Sequence, residues 1–190
     1  ITDGSRKSVK LLTSAPDFRK GSQTISWDGR NADGAQVSDG IYDYTISIED
    51  GVENSCAYSG KFEVDATPPV AATRQNLPAF SPNNDGKFDL LKYTIISNED
   101  GTLLFSHTDV TDKIIASDVS FECRTDNPLD VVWDGWSLIQ NNAPVFKFLL
   151  SPTDGRYRYW VYALDRAENK SKVVGGFSIV DLTPPEIKKL

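Results

Sequence analysis

Apolar and polar side chains alternate with period two along most of this chain, and nowhere do they sustain the 3.6-residue spacing of an amphipathic helix. The clearest run is Tyr42, Tyr44, Ile46 and Ile48 set against Asp43, Thr45, Ser47 and Glu49, which predicts a strand with one buried and one wet face. Shorter runs predict strands at Ser8–Leu12, at Thr24–Trp27 with Ile25 and Trp27 on one side, and at Lys61–Asp65. Further along, strands are expected over Phe88–Ile96, Thr102–Thr108, Lys113–Ala116, Val119–Glu122, Asp130–Trp133, Val145–Leu150, Arg156–Leu164 and Val173–Val180. Many short strands separated by Gly, Asn, Asp and Pro predict an all-β sandwich.

One set of motifs occurs twice. Trp27-Asp28-Gly29, Asp39-Gly40-Ile41-Tyr42 and Asp65-Ala66-Thr67-Pro68-Pro69 return as Trp133-Asp134-Gly135, Asp154-Gly155-Arg156-Tyr157 and Asp181-Leu182-Thr183-Pro184-Pro185. Proline donates no N–H to a ladder, and paired prolines make a stiff extended connector. The expected division is therefore a partial domain over residues 1–69, a complete one over 70–185, and the start of a further repeat at 186–190. Alignment on the two tryptophans sets Ile1 against His107, so nothing in the chain matches residues 70–106. The first domain is expected to lack its opening strands, supplied either by preceding residues of a longer parent protein or by a neighbouring chain. Such an incomplete sandwich is a template for strand addition.

Composition narrows the function. A net charge of −7 argues against a nucleic-acid partner, which calls for a basic surface. No apolar run approaches the ~20 residues of a membrane helix. The two cysteines, Cys56 and Cys123, fall at non-equivalent places, and both are expected to be free thiols acting as small core residues. His107, the one histidine, reads as a strand residue. The chain offers no histidine or cysteine constellation for nucleophilic catalysis and no phosphate-binding glycine loop, so an enzyme is not expected.

Asn83, Asp85 and Asp89, in Asn83-Asn84-Asp85-Gly86-Lys87-Phe88-Asp89, are candidate calcium ligands, because closely spaced oxygen donors around a glycine turn suit a hard cation. The alternative is an Asx-rich turn whose side chains bond their own backbone. Asp28, Asn31 and Asp33 carry the same two readings. Trp27 and Trp133, on alternating strands, are expected in the core rather than stacked on a sugar. Trp136, directly after a turn, is either an exposed binding aromatic or a lid. Arg158, Trp160, Tyr162 and Leu164 lie opposite Tyr157, Tyr159, Val161 and Ala163, where the first copy has only polar residues. Trp, Tyr and Arg dominate binding hot spots, so Arg158, Trp160 and Tyr162 are candidate partner-binding residues. The alternative is a cover formed by the loop Gln140–Phe146.

The order Trp-Asp-Gly, Gly-x-Tyr-x-Tyr and then Asp165-Arg166-Ala167-Glu168-Asn169-Lys170-Ser171 resembles the immunoglobulin-like domain of the flagellar hook-capping protein family, a module also found in tandem in bacterial surface and secreted proteins. The Asp-x-Thr-Pro-Pro linkers are similar to those between bacterial Ig-like repeats. Phe80-Ser81-Pro82-Asn83-Asn84-Asp85-Gly86 resembles the opening of gliding-motility-type C-terminal domains. The resemblance covers about 27–69 and 80–185, and implies tandem Ig-like β-sandwiches. It also implies a non-catalytic structural or adhesive role at an extracellular, cell-surface or periplasmic location. The expected partner is a protein or a neighbouring Ig-like repeat. A flagellar hook-assembly scaffold and the carbohydrate-binding module of a secreted enzyme are the alternatives.

Overall fold

The computed structural model describes residues 1–12, 21–22, 24–50 and 52–186. The chain divides into two compact units, Ile1–Thr67 and Pro68–Leu190. The described residues form twelve strands and no helix. No helix is therefore long and apolar enough to cross a membrane. Of the expected further repeat at 186–190, residues 187–190 lie outside the described part.

In the first unit, β1 (Gly40–Glu49) and β2 (Ser55–Val64) form an antiparallel hairpin. Tyr42, Tyr44, Ile46 and Ile48 share one face with their partners Phe62, Gly60, Tyr58 and Cys56. Trp27 packs over the near end of that face, 5.8 Å from Tyr42 and 5.4 Å from Phe62 between ring centroids. The far end is uncovered: Ile46, Ile48 and Tyr58 are 41%, 44% and 68% exposed. The alternation of β1 is thus real, but only Tyr42 on it is buried. The expectation of a core cysteine fails for Cys56, which is exposed on β2. Ser8–Leu12 and Thr24–Trp27 are not strands either. Ser8 makes a single bridge to Thr2, and Ile25 is exposed.

The second unit has two five-stranded sheets. One runs β10-β9-β8-β5-β3, from β3 (Ala71–Gln75), β5 (Leu91–Ser97), β8 (Leu129–Trp133), β9 (Ser137–Gln140) and β10 (Ala143–Lys147). The other runs β4-β12-β11-β6-β7, from β4 (Ala79–Phe80), β6 (Gly101–Thr108), β7 (Ile114–Cys123), β11 (Gly155–Leu164) and β12 (Val174–Val180). All neighbours are antiparallel except β4 with β12. The inner faces share one core containing Leu91, Tyr93, Phe105, Val131, Trp133, Tyr159 and Val161. Tyr93 lies 4.6 Å from Tyr159 and 5.1 Å from Phe105 between ring centroids, within the range of favourable aromatic pairing. The separate strands expected at Lys113–Ala116 and Val119–Glu122 are one bulged strand, β7, whose register against β6 shifts twice. Bulges break a two-residue alternation, which is why the sequence divides there. Ala71–Gln75, Ala79–Phe80 and Ser137–Gln140 were not expected as strands.

Among the described residues, five hairpin turns share one construction. Asp3, Asn31, Asp50, Asp109 and Asp165 each accept, on Oδ1, the N–H groups two and four residues ahead. The residue three ahead has a left-handed backbone: Arg6, Gly34, Glu53, Asp112 and Glu168 at φ 65°, 82°, 64°, 63° and 66°. A type I turn followed by a left-handed residue is a standard three-residue hairpin connection. The Asx side chain holds it even where that residue is not glycine.

Candidate functional site

The two copies of the repeated motif make the same local bonds. Asp39 accepts the Ala66 N–H at 2.8 Å and the Thr67 hydroxyl. Asp154 accepts the Leu182 N–H and the Thr183 hydroxyl. The aspartate ahead of Gly-x-Tyr therefore clamps the chain as it enters Thr-Pro-Pro, once in each unit. These bonds, led by the threonine hydroxyl, hold both carboxyls below the usual aspartate pKa. The tyrosines correspond as well. Tyr42 donates its hydroxyl to the Ser38 carbonyl at 2.8 Å and Tyr157 to the Thr153 carbonyl at 3.1 Å, each four residues back. The tryptophans differ. Trp27 Nε1 donates to the Arg30 carbonyl at 2.8 Å, whereas Trp133, wholly buried, has an Nε1 with no hydrogen-bond partner among the described residues.

The candidate calcium loop is closed by its own backbone. Asp89 accepts the N–H groups of Asn83, Asn84 and Gly86 at 3.1, 2.7 and 2.7 Å. Asp85 accepts the Lys87 N–H at 2.8 Å, and Asn83 accepts the Asp85 N–H at 3.1 Å. The loop thus has the hydrogen-bonding geometry of an Asx-rich turn, with three donors already on the Asp89 carboxylate. Asn31 likewise serves its own turn, and Asp28 accepts the Arg30 N–H at 3.1 Å.

Arg158, Trp160 and Tyr162 lie together on β11, facing away from the core. The loop Gln140–Phe146 does not cover them: its residues belong to β9 and β10 in the opposite sheet. Opposite Trp160 on β12 stands Gly175, where an added Cβ would meet the Tyr159 carbonyl at 2.2 Å and Trp160 Cα at 2.8 Å. Cations lie over the rings of this face. Arg156 stands 3.3 Å from the Phe177 centroid, Lys170 is 3.6 Å from Tyr162, and Arg158 is 5.7 Å from Trp160. The Tyr162 hydroxyl donates to Asp118 at 3.1 Å. On a chain of net charge −7, this is an apolar face edged with cations. No family model and no curated protein matches this chain.

Trp136 is 43% exposed and lies in the turn between β8 and β9. Its N–H is held by Asp134 at 2.8 Å and its carbonyl accepts the Phe148 N–H at 2.7 Å. Beside it opens a cavity of about 510 Å³ between β7 and β10, the edge strands of the two sheets. Trp133, Ile115, Phe146, Phe148 and Tyr157 form its apolar wall, and Lys113, Lys147 and Asp109 also line it. This cavity is not legible in the sequence, because its wall comes from four separate segments. His107 lies against that wall, with ring centroids 4.4 Å from Trp133 and 5.8 Å from Phe148 and Tyr157. Its Nδ1 donates to the Thr108 carbonyl at 2.9 Å, and its Nε2 meets the Tyr93 hydroxyl at 3.2 Å. Burial lowers the His107 pKa to about 4, so the imidazole is neutral and structural at pH 7.

Proposed function

We propose that this chain is a pair of Ig-like repeats from a bacterial surface, secreted or periplasmic protein. In this reading it acts without catalysis, as a spacer that presents a protein-binding face. Strand order supports the fold. One sheet keeps β3, β5 and β8 adjacent, and the other runs β4-β12-β11-β6-β7 with β4 parallel to β12. Sequence neighbours split between two sheets in this way are what a Greek-key sandwich would require, and support this reading. The tyrosine bond four residues back is the kind found at the corner of Ig-like sandwiches.

The observation that carries the spacer role is the clamp made twice, Asp39 to Thr67 and Asp154 to Thr183. It fixes the chain at each entry to a proline pair, which is itself stiff. The exposed Cys56 takes a spin label, whereas Cys123 is buried and burial raises its thiol pKa. With a second label at Ser120→Cys, the interlabel distance distribution is expected to be narrow, and Pro68→Gly/Pro69→Gly broadens it. A distribution in the unsubstituted linker as broad as in the glycine variant would end the spacer reading.

The β11–β12 outer face is the binding surface in this proposal. Sugar stacking needs an open ring face. Here Arg156 and Lys170 already lie over Phe177 and Tyr162, which favours an acidic protein partner over a carbohydrate.

A further inference from the structure

We infer that the cavity between β7 and β10 is a binding site for a small amphipathic carboxylate, separate from the outer face of β11. Its size falls in the range of small-molecule sites, which are mostly apolar with a few placed polar groups. Such groups are present here. Lys113 and Lys147 are both exposed, and neither joins any ion pair among the described residues. Asp109, the one acid of the lining among the described residues, is committed to its own turn, accepting the Thr111 hydroxyl and the N–H groups of Thr111 and Lys113 at 2.7, 2.8 and 3.0 Å. Two cations against one engaged carboxylate favour an anion.

The rest of the wall is apolar: Trp133, wholly buried, lines it together with Ile115, Phe146, Phe148 and Tyr157. A peptide strand is disfavoured at this mouth, because β10 is blunted as an edge. Pro144 lacks an N–H, the ladder to β9 is bulged beside it, and Lys147 stands on the strand. The exposed Val110, Ile114, Leu149 and Leu150 lie in the lining at the mouth, where a hydrocarbon tail longer than the cavity would rest.

The test is titration of the whole chain with dodecanoate and, separately, with dodecyltrimethylammonium, followed by calorimetry and tryptophan fluorescence. Saturable dodecanoate binding is expected, with the cation at least about tenfold weaker. Lys113→Ala/Lys147→Ala, both at the surface, should weaken dodecanoate by about tenfold or more, and Ile115→Trp should fill the cavity and abolish binding. Three results would each overturn the proposal. They are no saturable binding up to about 1 mM, equal affinity for the cationic analogue, and dodecanoate affinity unchanged in the folded lysine double variant.

Discussion

The two units carry the same short motifs and put them to different use. Each has the Trp-Asp-Gly turn, the tyrosine bonded four residues back and the aspartate clamp on Thr-Pro-Pro. Yet β11 buries Tyr157, Tyr159, Val161 and Ala163 completely or nearly so, while its counterpart β1 buries only Tyr42. The difference lies in the neighbours. β11 is flanked by β6 and β12 and faced by a second sheet. Among the described residues, β1 has β2 on one side and, on the other, a single bridge from Thr2 to Asp43. Local motifs shape turns and hairpins by themselves, but burial is a property of the partner surface.

The largest expected contrast comes from matched truncations. Phe105→Ala, in the closed core, should cost about 3–5 kcal/mol in denaturant unfolding. Ile46→Ala, on the half-open hairpin face, should cost under about 1 kcal/mol. Comparable losses at the two sites would mean that the hairpin face is covered after all.

Acid should separate the units next. The folded pKa of His107 is about 4, below the unfolded value of ~6.5, so the unfolded chain takes up the proton first. The contribution is complete above about pH 6.5 and is lost as pH falls toward 4, amounting to about 3 kcal/mol in all. Stability of the second unit should therefore fall over that window, and His107→Gln should flatten the slope. An unchanged slope in the variant would assign the effect elsewhere.

The smallest effect tests what the units share. Asp50→Ala and Asp109→Ala remove equivalent turn bonds, one in each unit. Both should lower the melting temperature of their own unit slightly. Hydrogen bonds hold both carboxyls below the usual range, so this contribution is present at neutral pH and fades as pH falls through the carboxylate range. No change in either melt would show that the left-handed residues Glu53 and Asp112 hold their turns unaided.

Much of this was legible in the sequence, because period-two alternation reports one-sided burial. It located β1, β6, β8, β11 and β12 nearly residue for residue, and it placed Arg158, Trp160 and Tyr162 on one outward face. It failed where alternation is broken or too short. β7 is split at its bulges, the two-residue β4 has no period, and Ser137–Gln140 runs from buried to half-buried without alternating. Alternation also promised a buried face for all of β1, since a sequence shows that a strand has an apolar side but not whether anything lies against it. The cavity was illegible for a related reason: Ile115, Trp133, Phe146 and Tyr157 meet only through the fold.

Residue-resolved amide hydrogen exchange tests the central contrast most directly. The account predicts that Tyr93, Phe105, Val131 and Val161 exchange only through global opening of their unit. The far end of the first hairpin, Ile46–Ile48 with Cys56–Tyr58, should open locally and exchange at least ~100-fold faster. Equal protection at the tip of β1–β2 and in the core of the second unit would contradict it.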